Sequence, residues 1–390
     1  MDQQALLQLI TAQAGTKRRN DRVVCIGRSD GQFTGNVKYL FLHLAEHAPE
    51  LAPTLLTFSR ETLAELEAAG LPALYFPSPK GARAAAEAGT VFVDDFHYKM
   101  HPVSLLLGGA RVVQLWHGVG FKKIGFLEAE SGLDLSPERR EELRRLYSGY
   151  HAVVSTSPFY TEHLFRTSFG AEHIWETGYP RNDVFFRRPT RGDMVRAAPR
   201  VYGEVKRLAR TSKVVLYVPT FREQGANPLS DGALDLPRLD AFLGAIGMVL
   251  VIKMHTFTGR LPRLPFANIL AFPSDEDVYP LMPLTHAMIT DYSSIYTDYL
   301  TMNKPVLFYA YDREAYQARH RELQFDYDWI TPGPKLATQD ELLTALRLLA
   351  RDGDDGYAGQ RAEVGRLAFA EHDGGASARV LARLRQELSS

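Results

Sequence analysis

"VVQLWHGVGFKKIGF", residues 112–126, opens as a continuous apolar strand and breaks at His117-Gly118 into two further glycines and the pair Lys122-Lys123. Glycine lets a backbone bend and come close to a ligand, and an imidazole at the tip of a strand can take a proton near neutral pH. On this motif alone a histidine that merely closes the strand is as good a reading.

The same design recurs on both sides. Short apolar runs alternate with amphipathic stretches, the pattern of βα units and parallel sheets. One series of strands is predicted at 23–27 (VVCIG), 54–58 (TLLTF), 91–95 (VFVDD), 112–116 and 152–156 (AVVST). A second follows at 214–219 (VVLYVP), 248–254 (MVLVIKM), 287–290 (AMIT) and 305–309 (PVLFY). Between them residues 185–213 are basic, broken by proline and then helical, which reads as a hinge between two α/β domains. Ser136-Pro137-Glu138 supplies a cap, a first-turn proline and an early acid, so a helix is predicted to start there, after a loop over 126–135.

At 390 residues the chain suits two domains of roughly 150 to 200 residues each. Lys and Arg number 45 against 46 Asp and Glu, so no overall field draws the protein to nucleic acid and any anion site must be local. The single cysteine, Cys25, excludes an internal disulfide, and no apolar run approaches the length of a membrane span. The first twenty residues lack the pattern of a secretory signal. The expectation is a cytoplasmic protein, at most peripheral at the inner face of the membrane.

Ligands of open α/β sheets bind beyond the carboxyl ends of the strands. Four such ends carry unusual residues. The first is His117-Gly118. At the second, TGYPRNDVFF (177–186), Arg181, Asn182 and Asp183 read as exposed groups able to hold a phosphate or cap the next helix; capping suits Asn182 and Asp183 but not Arg181. The third combines VPTFRE (218–223) with IKMHTFTG (252–259): Thr220, Arg222, Lys253 and His255 are predicted at one edge, the last two sharing a face by alternation, with a solvated rim as the plainer reading. The fourth is AMITDYSSIYTDYL (287–300), where Asp291, Ser293 and Ser294 stand at a helix start; N-capping needs one of the three, and three together favour an anion.

WHGVGFKKIGF, ETGYPRND, LYVPTFRE, ITDYSSIYTDYL, KPVLFYAYDREAY and FDYDWITPGP, in this order, resemble the signatures of the CDP-glycerol glycerophosphotransferase family, the polyol-phosphate primases and polymerases of teichoic acid and related capsules. The resemblance runs from about residue 90 to 335. It implies a GT-B architecture, two Rossmann-like domains facing across a cleft, with an acceptor-side domain over 1–186 carrying the base and a CDP-polyol-binding domain over 187–390. It further implies transfer of a polyol phosphate, glycerol phosphate first, from CDP-glycerol or CDP-ribitol to a hydroxyl of a lipid-linked or polymeric acceptor, with CMP released. His117 falls on the family's general base and His255 on its second functional histidine. Arg181, Thr220, Arg222, Ser293 and Ser294 fall on positions placed to bind phosphate, and Gly118, Asn182, Lys253, Asp291 and Asp298 complete the expected substrate-binding set, Asp291 as the group that caps or orients the turn. No cofactor and no metal are expected. Val119-Gly120 replaces the Thr-Pro that follows the family's WHG, and Thr256 replaces the proline after the second histidine. The length of the chain suits a primase, a short-chain transferase or a capsule enzyme. A GT-B glycosyltransferase using a UDP- or CMP-sugar is the alternative.

Overall fold

The computed structural model describes residues 2–130, 135–221, 229, 231–256, 261–319 and 323–389. It divides into two compact units. The first comprises Met1–His117, Ile124–Arg196 and Asp373–Ser390, and the second Gly118–Lys123 and Ala197–His372.

The first unit is built on seven strands: β1 (Arg19–Ile26), β2 (Thr54–Thr57), β3 (Ala73–Tyr75), β4 (Ala88–Val93), β5 (Arg111–Gln114), β6 (Ser148–Ser155) and β7 (Gly170–Glu176). They lie in the order β3-β2-β1-β4-β5-β6-β7, with every neighbouring pair parallel. The second unit has β8 (Lys213–Tyr217), β9 (Met248–Lys253), β10 (Ile269–Phe272), β11 (Ala287–Thr290), β12 (Val306–Tyr309) and β13 (Lys335–Leu336). Their order, β10-β9-β8-β11-β12-β13, is again all parallel. The chain is thus an α/β protein with two parallel sheets. In each sheet the strand order reverses once, between β1 and β4 and between β8 and β11, and the crevice above such a reversal is where open α/β sheets bind ligands.

Helices cover these sheets with leucine-rich stripes. Gly35–His47 buries Val37, Leu40, Phe41 and Leu44, the i, i+3, i+4, i+7 spacing of one helical face. Gln339–Asp352 starts with a capping box, Thr338 with Glu341, stops at left-handed Gly353, and lays Leu342, Leu346 and Leu349 into the core with Val215, Leu250 and Ile289. The helix predicted after Ser136 forms over Pro137–Tyr147, with the Ser136 hydroxyl accepting the Arg139 N–H. The stretch read as a loop before it contains a short helix, Phe126–Glu130.

The sequence reading missed β3, β7, β10 and β13, and these are the four sheet edges. The boundary also differs from 186/187. The first unit continues to Arg196 and takes back the last helix, Ala376–Ser389. Hydrogen bonds explain why. Lys38 Nζ donates to the carbonyls of Asp193 and Val195, while the Asp183 carboxylate accepts the N–H groups of Ala376 and Ser377, both at 2.9 Å. The segment read as a hinge is therefore packed into the first unit as far as Arg196, and its remainder belongs to the second.

Candidate active site

In the first unit the ends of β1, β4 and β5 come together beside the strand-order reversal. His117 follows β5 by way of Trp116, whose φ of 61° is unusual for so large a side chain. Two buried amides hold that turn: Gln114 Oε1 accepts the Trp116 N–H at 3.0 Å, and Asn36 Nδ2 donates to the Trp116 carbonyl at 2.7 Å. His117 Nδ1 donates to the Asp94 carbonyl at 3.3 Å, the tautomer that leaves Nε2 as a proton acceptor. Burial, then the positive charge of Arg28, pushes the imidazole down to about 3, against the pull of Asp95. At neutral pH the ring is uncharged.

Asp94 and Asp95 stand just beyond β4. Both Asp94 oxygens lie 3.1 Å from the Val37 N–H at the start of the helix Gly35–His47. Burial drives this carboxyl up to about 8, although Val37, Arg181 and Arg28 oppose the shift. Gly35 is needed here: its φ is +69°, and a Cβ would sit 2.5 Å from Asp94 Oδ2. Burial also raises Asp95, but the hydrogen bond and charge of His97 and the charge of Arg28 outweigh it and hold the carboxyl below its ordinary value. His97 Nδ1 lies 2.5 Å from Asp95 Oδ2, and Arg28 Nε lies 4.0 Å from the same oxygen.

Arg181, Asn182 and Asp183 are not the exposed groups the sequence suggested. They are 4%, 6% and 7% exposed. Arg181 Nη1 donates to the His117 carbonyl at 2.8 Å, and its N–H donates to Asn36 Oδ1, so the arginine buttresses the histidine turn. Asp183 caps the last helix of this unit. The Asn182 side-chain amide has no hydrogen-bond partner among the described residues. The local reason for burial is that Pro180–Phe186 forms a 3₁₀ segment packed beside the helix Gly35–His47.

The second unit assembles a different set at the ends of β8, β9 and β11. Asp291, the first residue after β11, accepts hydrogen bonds from the Thr220 N–H at 2.8 Å, the Thr220 hydroxyl at 2.6 Å and the Tyr292 N–H at 2.6 Å. It ties the end of β8 to the end of β11. Ser293 and Ser294 follow, partly exposed, ahead of the helix Ile295–Leu300, and the Ser294 hydroxyl makes no capping bond to that helix. Gly118–Lys123 packs on this helix: the Thr297 hydroxyl donates to the Val119 carbonyl at 2.7 Å, and a Cβ on Gly120 would lie 3.1 Å from the Ser294 Cβ. Gly118 thus belongs to the second unit although its neighbour His117 belongs to the first.

Lys253, the last residue of β9, donates to the Ser274 carbonyl at 2.8 Å. His255 lies just beyond it, half-buried, its ring 5.7 Å from that of Phe221. Asp298 is fully buried and accepts the Tyr279 hydroxyl at 2.9 Å, which places it behind the helix start. Arg222 lies outside the described residues. Hydroxyls and cations at the end of a parallel sheet suit an anion, whereas the first unit offers a neutral imidazole set for proton transfer.

The model of the family described as CDP-glycerol:poly(glycerophosphate) glycerophosphotransferase matches residues 9–386. The chain belongs to this family. The teichoic acid poly(ribitol-phosphate) polymerase of Bacillus spizizenii is 31% identical over 272 residues, 67% of this chain and 42% of that protein. The teichoic acid ribitol-phosphate polymerase TarK of Staphylococcus aureus is 27% identical over 349 residues, 84% of this chain and 62% of that protein. The chain therefore spans less than two thirds of the length of either relative. A structure of the wall teichoic acid polymerase TagF soaked with CDPG superposes with a TM-score of 0.78 at 20% identity, covering 98% of this chain and 93% of that one, and shows that the fold is shared.

Within this member of the family, the sequence reading assigned no role to Arg28, Asn36, Asp94, Asp95 and His97. A signal was present for some of them. VFVDD ends an apolar strand in two acids, and VVCIG runs directly into Arg28. Asn36 stands in GNVKYLF (35–41), a weak match to the family, but its partners, the Trp116 carbonyl and the Arg181 N–H, are far off in the chain, so its role was not legible.

Proposed function

We propose that the chain transfers a polyol phosphate, glycerol phosphate first, from a CDP-polyol to a hydroxyl of a lipid-linked or polymeric acceptor in the synthesis of teichoic acid or a capsule-like polymer. Family membership supports the reaction class. The observation that carries the mechanism is the neutral, oriented imidazole of His117. The acceptor oxygen attacks the phosphorus bearing the polyol, its proton passes to His117 Nε2, and the bond from that phosphorus to the CMP oxygen breaks. Arg181 and Asn36 keep the histidine turn in place. Ser293, Ser294 and Lys253 suit the pyrophosphate, with Asp291 holding the turn, and His255 assists the leaving CMP. Positioning and charge stabilisation supply most of the rate, as in phosphoryl transfer generally.

We read the two units as the Rossmann-like halves of a GT-B enzyme, acceptor side first and donor side second. The repeated strand order supports this reading. A lipid-linked acceptor calls for contact with the membrane surface, and no helix among the described residues is long and apolar enough to cross a membrane. Near the start of the chain, the basic residues Arg18 and Arg19 are engaged within the first unit. Arg18 donates to the carbonyls of Ala85, Ala88, Leu106 and Gly108, and Arg19 pairs with Asp21.

The test is incubation with CDP-glycerol, CDP-ribitol and UDP-sugars in the presence of a polyol-phosphate-primed acceptor. Release of CMP with growth of the acceptor is the expected result. Release of UDP from a UDP-sugar, with CDP-polyols inert, would overturn the assignment in favour of glycosyl transfer.

A further inference from the structure

Away from these strand ends, His151 on β6 and Glu172 and His173 on β7 bring one ligand atom each to within 4.8 Å of one another. The register explains the meeting, because Ala152 pairs with His173 and so sets His151 beside Glu172 across two parallel strands. His151 Nδ1 lies 3.0 Å from Glu172 Oε2, and its Nε2 lies 3.3 Å from Glu387 Oε2 on the last helix. Glu387 is in turn paired with Arg383, 3.2 Å away. The His151 and His173 rings meet edge to face with centroids 5.0 Å apart.

We infer that His151, Glu172 and His173 form a binding site for a divalent transition metal of the zinc class, with Glu387 fixing the His151 ring from behind. Two imidazoles and a carboxylate are a donor set that zinc takes, and tetrahedral bonds of about 2.0 to 2.2 Å require ligand atoms roughly 3.3 to 3.5 Å apart. The 3.0 Å approach of His151 Nδ1 to Glu172 is close to that edge, and the exposed His173 ring needs only a modest swing to complete it. The other ring nitrogen of a metal-ligating histidine ordinarily donates to a carboxylate, as His151 does toward Glu387. A fourth position can be reached by water, for an open cavity of about 820 Å³ is lined by Glu172, His173 and Trp175. The Trp175 Nε1–H is buried without a partner among the described residues and is a donor on hand for a metal-bound water. The site ties the exposed edge strand β7 to the last helix, so the metal would stabilise this unit. It is independent of the proposed transfer reaction.

The experiment uses the tag-free full chain, stripped with EDTA, dialysed and titrated with Co²⁺ while the d–d absorption is followed, then with Zn²⁺ as competitor. One equivalent should bind with a tetrahedral spectrum, Zn²⁺ should displace it, and the melting temperature should rise. His173→Ala, which removes an exposed ring, should abolish the spectrum and the melting shift while the metal-free melting temperature stays near wild type. Glu387→Gln should weaken binding about 10- to 100-fold. Absence of saturable binding at one equivalent, or equal affinity in wild type and His173→Ala, would overturn the site. Unchanged affinity in Glu387→Gln would remove the ring-orienting role of Glu387.

Discussion

Asp94 and Asp291 hold corresponding positions in the two units. Each is the first residue past the strand that lies across the strand-order reversal, and each is fully buried. Their surroundings differ. Asp291 accepts hydrogen bonds from Thr220 and Tyr292, which fix it as a brace. Asp94 has one backbone N–H, from Val37, with His117 bound to its carbonyl, and burial dominates its titration. The same backbone position therefore serves a polar brace beside the proposed anion site in one unit and stands under the proposed base in the other. What separates them is how completely the carboxylate is hydrogen-bonded.

The comparison breaks first at His117. His117→Ala should lower CMP release about 10²- to 10⁴-fold at saturating acceptor while leaving CDP-polyol affinity by calorimetry within a few-fold. Near wild-type turnover would end the assignment of proton chemistry to the first unit. In the wild type, because this imidazole titrates far below its ordinary value, kcat/KM should show no acid limb from it between pH 8 and 5.

Ser293→Ala combined with Ser294→Ala should weaken CDP-polyol binding about 10- to 100-fold, the loss of two hydrogen bonds to a charged group, and leave cytidine binding unchanged. Equal losses for both ligands would move the anion site elsewhere.

Asp94→Asn sharpens the contrast through stability. With a folded value near 8 against an ordinary value of 3.8, the native carboxyl holds a proton that the unfolded chain releases, so this group makes stability fall as pH rises from about 4 to 8. His117 acts in the opposite sense, its contribution being lost as pH falls from about 6.5 toward 3. Urea melts across this range should show Asp94→Asn removing the fall at the alkaline end, where His117 contributes no slope. An unchanged profile would mean that Asp94 is ionised throughout.

The smallest effect is expected at Gly120→Ala. The added methyl meets the Ser294 Cβ at 3.1 Å, a contact that the neighbour relieves by a shift of a few tenths of an ångström. CDP-polyol affinity should fall a few-fold with the melting temperature nearly unchanged, and no change in affinity would detach the Gly118–Lys123 segment from the anion site.

The sequence by itself determined the α/β class and the nine interior strands, from β1 and β2 through β12. A strand with neighbours on both sides and helices over its faces must be apolar along its length, and such runs are visible as local composition. Burial along β4 and β11 is unbroken. The family motifs were legible too, because glycine, histidine and serine at strand ends are contiguous in the chain. Only the tertiary structure decided the four edge strands, where β7 exposes much of its side-chain surface and carries no apolar run. It likewise decided that Arg181 supports the His117 turn from within the first unit and that Asp183 caps a helix almost two hundred residues away. It split His117 from Gly118 between the two units. Those outcomes rest on hydrogen bonds and close packing between segments distant in sequence, and no local pattern of residues records which distant partner a buried polar group will find.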